Sequence, residues 1–224
     1  MNIKKVLKDI RLEINRMGAS NRRKKLNTTD FSIISNNCFA GIVYQHFGLQ
    51  YNTPTIGLYF YPEEYIKFCR NFNDYIKEDL TFIRTSESKY FDDLKKNHYE
   101  NTIVGKLKDV EIVFLHYETQ EEAKKKWDRR IKRLSKNIIY KFNDQNGCTY
   151  DQLKQFDDLQ YKNKIIFTAK EYPDLKTNVF MKKYRNCVNI KEDYYSCYKY
   201  IDLIDFINKS KQGAKDLWIV RFQL

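Results

Sequence analysis

Only seven glycines and three prolines occur among the 224 residues, and no stretch rich in Pro, Gly or Ser divides the chain. A flexible linker is therefore not expected, and one domain is the natural count. CxxC pairs are missing as well. The five cysteines, Cys38, Cys69, Cys148, Cys187 and Cys197, are odd in number and widely spaced, which argues against a disulfide framework and a zinc knuckle and fits a reducing cytoplasm. No long apolar run is present: Lys4, Lys5, Lys8, Arg11 and Arg16 interrupt the N-terminal segment, so neither a signal peptide nor a spanning helix is expected there. Neither GxGxxG nor GxxxxGK[ST] occurs, which disfavours the usual dinucleotide and P-loop modes of nucleotide binding.

What is present is a substantial core and a concentrated positive charge. Hydrophobic residues make up 42% and aromatic residues 16% of the chain, enough for a globular domain. Lys and Arg number 41 against 29 Asp and Glu, a formal charge of +12. Residues 1–25 hold nine basic and two acidic residues, and residues 121–136 hold eight basic and three acidic. A field of this kind attracts phosphates, nucleotides, anionic lipid or nucleic acid without choosing among them.

Ile3, Val6, Leu7, Ile10, Ile14 and Met17 recur at helical spacing, with lysines and arginines mostly off that stripe. Residues 1–25 thus read as a basic amphipathic helix, which either packs on the domain or lies on an anionic membrane face, and residues 26–224 read as a single α/β domain. Past a polar hinge at 21–30, strands are expected at 31–35, 55–61, 110–117, 137–142 and 164–168. Helices are expected at 40–47, closed by Gly48, from Pro62 onward, from a Thr119-Gln120-Glu121-Glu122 capping box to about Lys136, at 150–159 and at 198–208. Strands alternating with helices imply a mainly parallel sheet covered on both sides, with ligands beyond the carboxyl ends of the strands.

Candidate site residues follow from those strand ends. Asn36, Asn37 and Cys38 end the first strand, where turn N–H groups and two amides can hold a phosphate or a sugar hydroxyl; the plainer reading is that both Asn residues cap the next helix. His116 and Tyr117 end the strand before the basic helix, and His116 is the best general-base candidate. On that helix Lys126, Arg129 and Arg130 can grip a diphosphate or carboxylate, or form a solvated face balanced by Glu121, Glu122 and Asp128. After the next strand, Asp144 is a candidate base or metal ligand, with Cys148 and Thr149 beside it, and Lys170 follows the last.

The segments Ile34-Ser35-Asn36-Asn37-Cys38, Pro54-Thr55-Ile56-Gly57-Leu58, Phe114-Leu115-His116-Tyr117, Lys126-Trp127-Asp128-Arg129-Arg130 and Asn163-Lys164-Ile165-Ile166-Phe167-Thr168 resemble, in order, a bacterial family of unknown function whose members are labelled exopolysaccharide biosynthesis proteins. The resemblance covers about residues 31–208. It implies a three-layer α/β/α sandwich with a Rossmann-like sheet and a place in capsule or lipopolysaccharide synthesis. Where the family carries an Asp-rich turn before its Cys-Thr pair, this chain has Asn143-Asp144-Gln145-Asn146, a single carboxylate that is poor for Mg²⁺, so no metal site is assigned and the cofactor stays open. The expectation is a transferase of polysaccharide assembly using an activated sugar or acyl donor, with an anionic or lipid-linked saccharide substrate at the inner membrane face. Its rival is a non-catalytic docking partner of a synthesis complex. A nucleic-acid-binding protein ranks third, since no helix-turn-helix, zinc finger or RNP-like motif accompanies the charge.

Overall fold

A computed structural model describes residues 17–211. The amphipathic helix expected over residues 1–25 lies mostly outside the described residues. Within the described part, a turn with Gly18 at φ 75° precedes a short helix, α1 (Ala19–Arg23), which overlaps the start of the stretch expected to be a hinge. There the basic residues have structural work. Arg22 Nε donates to the carbonyl of His46 at 2.9 Å and Arg23 Nη1 to that of Gly48 at 2.8 Å, so two cations cover the negative end of helix α2 (Phe39–Phe47).

Four strands, β1 (Ser32–Ser35), β5 (Ile138–Asn143), β6 (Lys164–Thr168) and β7 (Asn178–Phe180), form an all-parallel sheet in the order β1-β5-β6-β7. Alternate residues enter two separate cores. Ile34, Tyr140, Phe142 and Ile166 pack with Tyr65 and Phe68 of α3 (Pro62–Arg70) and Leu153 and Phe156 of α7 (Tyr150–Asp157). Ile33, Ile139, Ile165 and Phe167 pack with Phe39, Val43 and Tyr44 of α2 and Phe206 and Ile207 of α8 (Leu203–Lys211). Both faces of the parallel sheet are therefore covered, as the alternation implied.

A second sheet was not foreseen, in a stretch after α3 that also carries the short helices α4 (Phe72–Tyr75) and α5 (Phe91–Lys96). Strands β2 (Thr81–Ile83), β3 (Ile103–Leu107) and β4 (Val110–Phe114) pair antiparallel, with β3 and β4 joined by a two-residue turn in which Lys108 takes φ 56°. The third expected strand thus exists as β4, but in this antiparallel sheet. A buried carboxylate ties the insert to the rest: Glu64 of α3 accepts the backbone N–H of Glu111 at 2.7 Å and the hydroxyl of Tyr90 at 2.9 Å, and pairs with Lys89 at 2.5 Å.

The strand expected at 55–61 is corrected. The Ile56 N–H turns back to the Pro54 carbonyl at 2.8 Å and Gly57 sits at φ 72°, so the segment cannot run straight. Only Tyr59 and Val113 form an antiparallel bridge. The segment covers the free edge of β1 with side chains instead: Thr55 Oγ1 accepts from Ser35 N at 3.2 Å and donates to Ile33 O at 3.3 Å, an edge protected without a further strand. Helix α6 (Gln120–Ile131) starts where expected, with the Thr119 hydroxyl accepting from Glu122 N at 3.1 Å, but the Glu122 carboxylate takes the N–H of Glu118. The box is thus wider by one residue. The reciprocal box lies at α7, between Thr149 and Gln152.

Candidate functional site

The carboxyl ends of β1 and β5 carry polar residues that point into the protein. Lys141, fully buried in β5, pairs with the fully buried Asp193 and donates to Asn37 Oδ1 at 2.9 Å and Asn36 Oδ1 at 3.3 Å. Its ammonium also faces the rings of Phe39 and Phe167. Burial pulls the Lys141 pKa below its ordinary value, and Asp193 opposes that pull. Asn36 Nδ2 donates to Asn143 Oδ1 at 2.7 Å, while Asn37 Nδ2 reaches Asp193 Oδ1 at 3.2 Å and Gln145 Oε1 at 3.3 Å. Asn37 Oδ1 also accepts from Phe39 N at 3.1 Å, so both lone pairs and both N–H groups of this amide are used within the protein.

The same network grips the segment that crosses over the sheet edge. Asn143 Nδ2 donates to the carbonyl of Ile190 at 2.7 Å, and Asp144 accepts from Ile190 N at 2.8 Å and Ala169 N at 2.7 Å. Burial raises the Asp144 pKa, with the two amides acting the other way. Both of its oxygens accept backbone N–H groups. The α2 amides expected to hold a phosphate are also engaged, Phe39 N by Asn37 and Ala40 N by the Ser35 hydroxyl at 3.3 Å.

Beside this network opens a cleft of about 790 Å³. Its floor is Asn37, Cys38, Gln145 and Asn146; one wall, from the antiparallel insert and the segment before it, brings Tyr59, Asp93 and Tyr99; the other, from the crossing segment, brings Lys183, Lys191, Glu192 and Tyr194. Amides and tyrosines suit the hydroxyls and faces of sugar rings, and lysines suit phosphate.

Other expected residues lie elsewhere. Arg130 is buried, donates to the Tyr117 hydroxyl at 2.6 Å and stacks 5.3 Å from the centre of the Tyr51 ring. Tyr117 donates in turn to the Ile56 carbonyl, and the Cys38 thiol is within its electrostatic reach. Lys126 pairs with Glu122 and lies over the Tyr117 ring. Arg129, Lys170 and His116 are exposed; His116 is the neighbour of cleft-lining Leu115 but is not itself part of the lining. The Cys148 thiol donates to the Thr149 carbonyl at 3.5 Å, and burial pushes its pKa up, which keeps it protonated rather than nucleophilic. Thr149 is the cap of α7. Among the described residues no group of three or more His, Cys, Asp or Glu side chains could hold a metal ion.

Lys141 and Asp193 escaped the sequence reading. The signal for Lys141 was a lysine inside the apolar run Ile138-Ile139-Tyr140-Lys141-Phe142, where a charge demands a partner. Nothing in the sequence named that partner, 52 positions away.

An α/β protein with a polar cluster at the carboxyl ends of its parallel strands is the class that fold and site define. The chain belongs to the DUF1919 family, a domain of unknown function, whose profile matches residues 10–209. It is also similar to a Haemophilus influenzae (strain Rd) protein described as uncharacterized, 30% identical over 190 residues that cover 83% of this chain and 86% of the relative.

Proposed function

We propose that the chain is a transferase of exopolysaccharide assembly that takes an activated saccharide in the cleft beside the Lys141 network. The observation that carries this reading is the cleft itself, which lies beyond the carboxyl ends of parallel strands and combines amides, tyrosines and two lysines. Lys183 and Lys191 hold the phosphate of the donor, and Tyr59, Tyr99 and Tyr194 carry the sugar. Because His116 is outside the lining, the proton acceptor falls to a carboxylate that borders the cleft, Asp93 or Glu192. The finer fold expectation, a three-layer Rossmann-like sandwich, belongs to this reading, since the four parallel strands covered on both faces are its central element. So do the cytoplasmic site of action and a lipid-linked acceptor at the inner membrane, to which residues 1–25 bring the enzyme.

A thermal-shift screen tests it, with nucleotide sugars, free nucleotides, free sugars, acyl-CoA and polyprenyl phosphates as ligands. A true donor at 100 times its dissociation constant adds about 2.7 kcal/mol of stability, and Tyr194→Ala removes the shift. No shift with any phosphorylated sugar would sink the reading. A second reading, a non-catalytic partner that docks a synthesis complex, draws on one specific observation: Asn37 and Asp144 spend their polar groups on the protein itself.

A further inference from the structure

Between Met181 and Ile190 the chain forms a surface loop beside the cleft. Both ends are fixed, for Met181 and Ile190 are fully buried, Met181 N donates to Thr168 O at 2.9 Å, and Asp144 and Asn143 hold the two backbone groups of Ile190. Most of the residues between them face outward, while Tyr184 packs against the second core and its hydroxyl bonds to Ser196 and to the Glu192 carbonyl. Lys182, Lys183, Arg185, Asn186 and Cys187 are exposed, and Val188 is 88% exposed. With Lys191 the run 182–191 has four cations and no carboxylate.

One exposed valine on a protein surface means nothing by itself. Val188 differs because it belongs to a loop anchored at both ends, with Arg185 before it and Lys191 after it in the chain, so an apolar tip, the valine side chain, and a positive collar are presented together. That combination matches an anionic bilayer, where phosphates meet the collar and the apolar tip enters the headgroup region. A polynucleotide has the phosphates but gives an aliphatic tip nothing to enter. We infer that loop 182–189 docks the protein on an anionic lipid surface. The collar adjoins the cleft, since Lys183, Cys187 and Val188 are part of its lining, so docking turns the mouth of the cleft toward the headgroups. The inference concerns a surface separate from residues 1–25 and stands whether or not the cleft is catalytic.

The test is co-sedimentation of the full chain with phosphatidylglycerol vesicles and with phosphatidylcholine vesicles at low salt. Lys182→Gln with Arg185→Gln should weaken binding to the anionic vesicles roughly 25-fold, from about fivefold, or about 1 kcal/mol, for each cation near an anionic surface. Val188→Asp should weaken it at least fivefold by opposing insertion. Because all three side chains are exposed, thermal melting of the variants should match the parent, and the melting shift caused by a soluble donor should persist in the Lys182/Arg185 variant. Binding that is unchanged in both variants, or absent in the parent, overturns the inference. So does tighter binding to a single-stranded oligonucleotide that the charge variant loses while Val188→Asp leaves it intact.

Discussion

Lys141 and Arg130 are both cations inside the protein, at 0% and 5% exposure, and they are accommodated in opposite ways. Around Lys141 stand a carboxylate and two amide oxygens. Around Arg130, among the described residues, no carboxylate stands within ion-pair distance; it has one tyrosine hydroxyl and the face of another tyrosine. The difference follows from the ions. An ammonium is a compact, strongly hydrated charge and loses much when water is removed, whereas a planar guanidinium is weakly hydrated and stacks on an aromatic face. A third basic side chain, the half-buried His46, takes another course. Beside Arg22 it gives up its proton, with its pKa lowered to about 4 mainly by desolvation and then by the arginine charge.

The largest expected effect comes from dividing the Lys141 pair. Asp193→Ala leaves an ammonium buried without a counter-charge and should cost about 3–5 kcal/mol in urea unfolding. Combining Lys141→Met with Asp193→Leu should recover most of that loss, because no charge is then left unpaired. A double variant as unstable as the sum of its singles would mean that the two side chains act independently and that the orphaned charge is not the source of the loss.

At Arg130 the comparison makes a sharper demand. Arg130→Met should cost roughly 2 kcal/mol in lost packing and one lost hydrogen bond, while Arg130→Lys should cost more than Met, since it puts a hydrated ammonium where no carboxylate waits. If Lys is the milder replacement, the stacking account of Arg130 fails.

The smallest effect concerns His46 and acid. The folded protein keeps this imidazole neutral down to about pH 4, while the unfolded chain protonates it near 6.5. The unfolded state therefore binds more protons in that window, and stability falls as pH drops from 6.5 to about 4. With allowance for solvent around a group only partly buried, the loss is about 1–2 kcal/mol. His46→Gln should flatten that part of the stability profile, and an unchanged slope would show that other groups cause it.

Three of the four parallel strands were legible because each is a short apolar run that ends in a polar turn, as at Ile33-Ile34-Ser35-Asn36 and Ile165-Ile166-Phe167-Thr168, whereas the three-residue β7 was not. Most of the antiparallel insert was not. β2 is three residues long and partly exposed, and β3 has Gly105 at its centre, which reads as a break. Its reason is three-dimensional: a Cβ there would come within 2.6 Å of the Phe114 ring and 2.9 Å of Leu80. At the site, the strand-end rule led to Asn36, Asn37 and Asp144 but gave no indication that they would bond to other buried groups of the protein rather than face solvent. The crossing segment that engages them comes from residues 190–193, and no local pattern in the sequence connects it to β1 or β5. Lys126 and Arg130 were legible as cations, whereas their different surroundings, a surface carboxylate for one and tyrosines for the other, depend on how α6 packs.

The strand order has a consequence for how this chain is made. Among the described residues β1 pairs only with β5, and the partner of Ser32 is Ile138, 106 positions later. At about 5–20 residues per second, the ribosome releases β1 roughly 5–20 s before the strand that completes it. During that interval Phe31, Ile33 and Ile34 have no sheet to join, and the antiparallel insert, whose strands are local neighbours, can form first. The nascent protein is thus built from its middle outward, and its oldest strand is among the last to find its place.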